Sequence, residues 1–443
     1  MLERSQKPVF LTLLTLAFGS VALAFCGFYV AKADTDLFNE SSKVILTRDG
    51  ERTILTMSND YQGEVSEFAM VVPIPYVFTE EQIRVGDPLI FERIDAYSAP
   101  RLVEYFDDDP CLTSPIPIVT EVGIPEAMAA DIAFRGADAL GVTIEEQFTV
   151  GEYDILILGA EESNGLETWL LENGYNLPEG ASEALAPYIE NDMKFFVARV
   201  NLEAFDEAGY QTLRPLMMAF ESEGFMLPIQ LGMLNAAGPQ DLIVYLLSPV
   251  GRIELDNYRT VELPSNVNVP ELVEEQFGDF YQAAFETAWE REGKDAAILE
   301  YAWDMAWCDP CAADPLSLEE LRWAGVFWLD GAEDAFAPNV YLTRLHIRYD
   351  KEHFPEDLRF RVTENRNNFQ GRYVIQRPWD GEISCEEGQA YVEQVQIRQR
   401  EEARALANLT GWSFGRIMRD VDVYEPVVNI PDSWWDRVFD SLD

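Results

Sequence analysis

Residues 43–57, KVILTRDGERTILTM, set two β-branched runs on either side of Asp49-Gly50. Asp-Gly between such runs is the strongest short-range hairpin signal, because glycine readily takes the positive φ of a tight turn. A hairpin of this kind needs further strands to cover it, and the chain supplies them. EFAMVVPIP (Glu67 to Pro75) reads as a buried strand ended by prolines. EYDILIL, MKFFVARVNL, FMLPIQLGML and QDLIVYLLS are expected as further strands, each bounded by Gly, Pro or Asn. Helices come between and after them. GLETWLLENGYNLP puts Leu166, Trp169 and Leu170 on one helix face, with Gly174 placed to close it. Pro270 to about Glu292 and Gln389 to Asn408 read as helices, and SLEEL (Ser317 to Leu321) as a capping box.

This pattern predicts an α+β fold, mainly antiparallel β-sheet with several packed helices, more helical in the C-terminal half. At 443 residues and 48% hydrophobic content, the chain can bury a sizeable core. The expected organisation is a leader over 1–24, a β-rich region over 25–265, and an α+β region with a C-terminal helix over 266–443. One continuous unit over 25–443 is the alternative.

The leader rests on Arg4 and Lys7, an uncharged run from Val9, and SVALA ending at Ala24. A basic start, an apolar segment and a small-x-small ending form a secretory signal peptide. An uncleaved anchor is the competing reading, because no charge appears from Val9 to Ala31. The chain is therefore expected to be extracytoplasmic, with no membrane span after cleavage. Its formal charge of −47 makes binding to a nucleic-acid backbone unfavourable.

Four separated stretches carry a resemblance. YQGEVSEFAMVVPIP, DAYSAPRLVEYF running on to DPC, LETWLLENGYNLP and LTRLHIRYDKEHFPEDLRFRV together resemble an uncharacterised bacterial family, domain of unknown function 2330. The resemblance runs from about Cys26 to the region around Cys385. It implies export and a single-unit organisation, with a mature protein opening near Cys26-Gly27-Phe28. It implies no established activity and carries over no catalytic residue.

The chemistry is read mostly by elimination. His346 and His353 have no zinc-protease spacing, and the sequence holds no G-x-S-x-G elbow, P-loop or G-x-G-x-x-G. Asp107-Asp108-Asp109 before Pro110 lacks the alternating ligands and glycine of a calcium loop, so it reads as a turn. No metal site, cofactor or catalytic residue is expected. Trp434-Trp435 reads as an anchor for the tail.

Five cysteines remain after the leader. Cys26, Cys111, Cys308 and Cys311 are the disulfide candidates, and Cys385 is expected to be the one left unpaired. WCDPC (Trp307 to Cys311) resembles a redox dithiol in spacing, but Asp309 disfavours a thiolate there and no helix begins directly behind it. It reads first as a structural disulfide, with redox and zinc-binding roles as alternatives.

One face stands out. Arg344, His346 and Arg348 alternate with Leu345 and Ile347, and LRFRV repeats the pattern with Arg359 and Arg361. From Arg344 to Arg377 eight basic side chains meet five acidic ones, a local excess of +3 in a protein of −47. Cross-strand ion pairing at an exposed face is one reading, costing little to remove. A site gripping a carboxylate or phosphate of a partner is the other. A strand buried on both faces would instead make His346 a core residue. Two function classes follow: a non-catalytic exported protein that binds a partner or envelope component, and an extracytoplasmic thiol–disulfide oxidoreductase using Cys308 and Cys311.

Overall fold

The computed structural model describes residues 28–31, 38–39, 42–58, 61–62, 68–112, 142–160, 162–172, 180–201, 204–205, 213–235, 238–307, 309, 314–329 and 337–429. The leader, Cys26, Gly174, Cys308, Cys311 and Trp434-Trp435 lie outside the described residues.

The hairpin forms at the centre of a nine-stranded sheet. Ser42–Asp49 and Arg52–Met57 pair antiparallel, closing at Asp49 opposite Arg52. Gly50 opens the two-residue loop at φ +59°, a conformation that costs glycine little. The sheet runs Arg259–Glu262, Ala296–Asp304, Tyr341–Tyr349, Gln240–Ser248, Ser42–Asp49, Arg52–Met57, Leu216–Glu221 and Ile83–Val85, with Phe369–Gln370 paired to the Ala296–Asp304 strand. It draws strands from both sides of residue 265. Two of its joints are parallel, Ser42–Asp49 beside Gln240–Ser248 and Arg259–Glu262 beside Ala296–Asp304.

A second sheet is antiparallel throughout, in the order Phe28–Ala31, Phe68–Ile74, Lys194–Val200, Tyr153–Ala160 and Val142–Val150. The two sheets pack face to face. Val44, Leu46, Val244, Leu345 and Ile347 of the large sheet share one core with Met70, Val72, Ile155, Ile157 and Phe196 of the smaller one. Helices cover both outer faces. Ser163–Glu172 and Ala181–Glu190 bury Leu166, Leu170 and Leu185 on the small sheet. On the large sheet, helix Leu89–Ser98 packs Ile90, Phe91 and Ile94 against Ile45, Tyr245 and Leu342. Helix Phe277–Arg291 packs Phe280 and Phe285 with Ile298, Tyr373 and Leu406, the last from the 25-residue helix Glu386–Thr410. The architecture is α+β in four layers, and the longest helices lie in the second half, as the sequence pattern predicts. Among the described residues, no helix is long and apolar enough to cross a membrane.

The capping box is present: Ser317 Oγ accepts from the Glu320 N–H at 3.2 Å and Glu320 accepts from the Ser317 N–H at 2.7 Å. FMLPIQLGML departs from expectation. Only Met226–Leu227 pairs as strand, and Gly232–Asn235 turns into a 3-10 helix. Pro228 has no N–H to offer a ladder. The next two amides, Ile229 and Gln230, donate to the Asp357 carboxylate at 2.8 and 3.1 Å instead.

Candidate functional site

The Tyr341–Tyr349 strand is buried along almost its whole length, on both faces. Leu345, Ile347 and Tyr349 enter the core between the sheets. Arg344, His346 and Arg348 point the other way, into the seam between helices Leu89–Ser98 and Phe277–Arg291. Arg344 is 6% exposed and His346 7%, so the sequence's exposed face is an interior one.

Burying charge without partners is costly, and here every charge is matched. Arg344 donates through Nε to Glu300 at 2.6 Å and through Nη1 to Asp95 at 2.6 Å. His346 meets Glu300 at 3.0 Å through Nδ1 and Asp241 at 3.1 Å through Nε2. Arg348 grips Asp241 with two bonds of 2.9 and 2.8 Å. Lys43 extends the chain to Asp95 at 3.4 Å. The result is an alternating row: Lys43, Asp95, Arg344, Glu300, His346, Asp241, Arg348. Aromatic groups cover its His346 and Glu300 centre. Phe285 stacks on the His346 ring with centroids 3.6 Å apart, and Tyr281 donates to Glu300.

Glu300 reaches this row through an irregularity. The register slips between Leu299 and Tyr301, leaving Glu300 as the extra residue of a β-bulge. Gly371 closes on the bulge, its N–H donating to the Glu300 carbonyl at 2.7 Å, and a Cβ on Gly371 would lie 2.9 Å from that oxygen.

The electrostatics follow from the geometry. Burial opposes the ionisation of Glu300, but Arg344 and His346 outweigh it and hold its pKa below the usual range. Asp241 is likewise held well below it, His346 and Arg348 outweighing its burial. Burial would lower His346, yet Glu300 and Asp241 raise it above an ordinary histidine, so the ring keeps its proton to higher pH than a free imidazole.

Arg359 and Arg361 are not part of this row. They lie exposed on Leu358–Val362, in a separate three-stranded sheet, and pair with Glu356 at 3.0 Å and Glu254 at 3.3 Å. The sequence reading thus joins two unlike sets of arginines. It also missed Asp95, Asp241, Tyr281 and Glu300. One signal was available: Glu300 is a lone acid inside the apolar run AAILEYAW, a position where a carboxylate needs a partner.

The cysteines bring a correction. Cys385 is not the unpaired one: it is bonded to Cys111, with Cα atoms 5.7 Å apart at a sequence separation of 274. The bond ties the turn after Asp107 to the N-cap of helix Glu386–Thr410. Asp109 shapes that turn by accepting the Cys111 N–H at 2.8 Å. In WCDPC, Asp309 is buried and accepts from Tyr301 at 3.0 Å and Gln370 at 2.7 Å, which fixes the middle of the loop to the core.

A groove opens where the chain after Asp420 runs back along helix Glu386–Thr410. Asp107 anchors its floor, accepting from Arg398 at 2.8 Å, Tyr391 at 2.7 Å and Gln376 at 2.7 Å. The returning segment is clipped on by Gln399, which accepts from the Tyr424 N–H and donates to the Asp422 carbonyl, both at 2.9 Å. Two adjoining recesses of about 430 and 500 Å³ share Glu271, Arg377 and Asp422. The first is lined by carboxylates, among them Glu271, Glu274, Glu275, Glu402, Asp420 and Asp422. The second is walled by Phe106, Pro378, Trp379, Val423 and Tyr424. Arg377 is already held by Glu104 at 3.1 Å, Glu271 at 2.8 Å and Glu274 at 2.6 Å.

The family described as an uncharacterized protein conserved in bacteria (DUF2330) matches residues 20–361. The match therefore ends before Cys385 and before most of the groove. No curated protein and no solved structure matches the chain.

Proposed function

We propose, from the premise that the chain belongs to the DUF2330 family of bacterial proteins, that it is an exported, non-catalytic protein that binds a partner or a cell-envelope component through this groove. The single observation that carries the reading is the groove itself. It joins open carboxylates to an apolar wall on which Phe106 is 69% exposed. Exposed aromatic surface rimmed by polar groups is the usual mark of a binding surface. The charged centre of the sheet is spent on internal pairs beneath Phe285 and offers nothing to a visitor. Export is supported by the apolar run after Lys7 and by the Cys111–Cys385 bond, which persists in an oxidising compartment.

The test is photo-crosslinking in the native organism from a reactive residue at Phe106, with Glu190 on an opposite outer layer as control. A discrete adduct from position 106 and none from 190 is expected. No adduct, or the same adducts from both positions, contradicts the reading.

A further inference from the structure

The aromatic wall of the groove ends in an open sheet edge. Strands Val267–Asn268, Arg372–Arg377 and Arg101–Phe106 form a three-stranded parallel sheet, with Arg101–Phe106 as its outer member. The Arg101 N–H donates inward to the Gly371 carbonyl at 3.1 Å, and the Asp107 N–H to the Arg377 carbonyl at 2.9 Å. A parallel ladder alternates, so the odd positions between them also bond inward. The N–H and C=O of Leu102, Glu104 and Phe106 are left facing outward. Among the described residues, no strand pairs with that side. An unpaired row of this kind is a template for another strand.

The other long edge is guarded. Val142–Val150, at the end of the five-stranded sheet, carries Glu145 as the extra residue of a β-bulge, with Glu146 beside it. Arg101–Phe106 has no bulge in its register. Its single acid, Glu104, is held by Arg377 at 3.1 Å, and Tyr105 and Phe106 stand 46% and 69% exposed. Phe106 also walls the apolar recess with Trp379 and Tyr424, so edge and recess are one continuous surface.

From this we infer that the Arg101–Phe106 edge takes an extended, basic segment of a partner protein as a fourth strand. Main-chain bonds to Leu102, Glu104 and Phe106 hold the segment, and alternate side chains along it reach Phe106 and the recess. Charge selects the occupant. Asp380, Asp422 and Glu425 line the recess at the Phe106 end, which favours lysine or arginine on the incoming strand. A second copy of the chain would bring its own charge of −47 and be repelled. The inference rests on the binding reading above and adds the partner's chemistry and its mode of docking.

Amide hydrogen exchange at single-residue resolution tests this, with an acetylated peptide of alternating lysine and valine as the probe. In the purified protein alone, the Leu102, Glu104 and Phe106 amides should exchange about tenfold or more faster than those of Val103 and Tyr105. Saturating peptide should slow the three outward amides by a similar factor, and a peptide with glutamate in place of lysine should not. Glu104→Pro deletes an outward N–H and no inward ladder bond, and it leaves Arg377 its pairs with Glu271 and Glu274. It should weaken peptide binding about tenfold or more. Should that variant lose its fold, Phe106→Lys, which opposes the incoming charge, should weaken binding instead. Slow exchange of the outward amides in the dilute protein alone means an edge already covered, and protection that grows with protein concentration means a second copy. Either overturns the proposal, as does equal binding of the two peptides, or of one peptide by wild type and both variants. A discrete crosslink from position 106 without protection by the lysine peptide removes strand docking and leaves the binding reading standing. Neither crosslink nor protection removes both.

Discussion

Arg344 is itself buried and holds the buried Glu300 and the half-buried Asp95 carboxylates, each at 2.6 Å, with the Tyr245 ring at 5.3 Å. The sequence showed the alternation that puts Arg344, His346 and Arg348 on one face. It could not show that helices cover this face, because covering is a property of distant segments. That difference sets the energetics. Removing one member of a buried pair strands its partner, so Arg344→Met should cost about 3–5 kcal/mol of unfolding free energy. Arg361→Ala, at an exposed pair, should cost at most about 1 kcal/mol. Chemical denaturation of the two variants checks this. The pH dependence follows from His346. Its pKa is raised on folding, so its contribution is complete below its unfolded pKa of about 6.5 and fades as pH rises through the raised value. Stability should fall on that alkaline side in the wild type, and the fall should shrink in His346→Gln. Glu402 has the same sign for a different cause. A carboxyl pushed up to about 7 by burial destabilises the fold once ionised, so Glu402→Gln should raise the melting temperature at pH 8 and leave it unchanged at pH 4.

At the scale of elements, local chemistry was the legible part. The Asp49-Gly50 hairpin and the Ser317-Glu320 capping box depend on neighbours in sequence, and both stand where the residues put them. FMLPIQLGML was misread because Pro228 and the distant Asp357 decide where its amides bond. Disulfide connectivity was illegible for a related reason: five cysteines allow many pairings, and only the fold brings Cys111 to Cys385. This bond spans 274 residues and should contribute about 2–4 kcal/mol. Replacing both cysteines by serine should lower the denaturation midpoint accordingly, and non-reducing peptide mapping should recover the Cys111–Cys385 fragment. The same map should show Cys308 joined to Cys311 rather than free. Catalysed insulin reduction that is lost in Cys308→Ser would favour the oxidoreductase instead.

At the scale of the whole molecule, two features stand out among the described residues: the charge row beneath Phe285 and the open groove at the C-terminal helix. The α+β class was legible from strand and helix periodicity. The groove was not, because Phe106, Arg377, Glu402 and Tyr424 come from four separate segments. The proposed export would place the groove outside the cytoplasm, and it predicts that N-terminal sequencing of the native protein begins at Phe25. A sequence beginning at Met1 would restore the anchor. The most direct measurement of the central claim is carbodiimide footprinting of carboxylates in the native envelope and in the purified protein. Glu275 and Asp422 at the groove should be protected in the envelope and labelled after purification, with Glu183 and Glu190 on the opposite layer labelled alike in both. Equal labelling of all four carboxylates in both states would contradict the claim that this groove holds a partner.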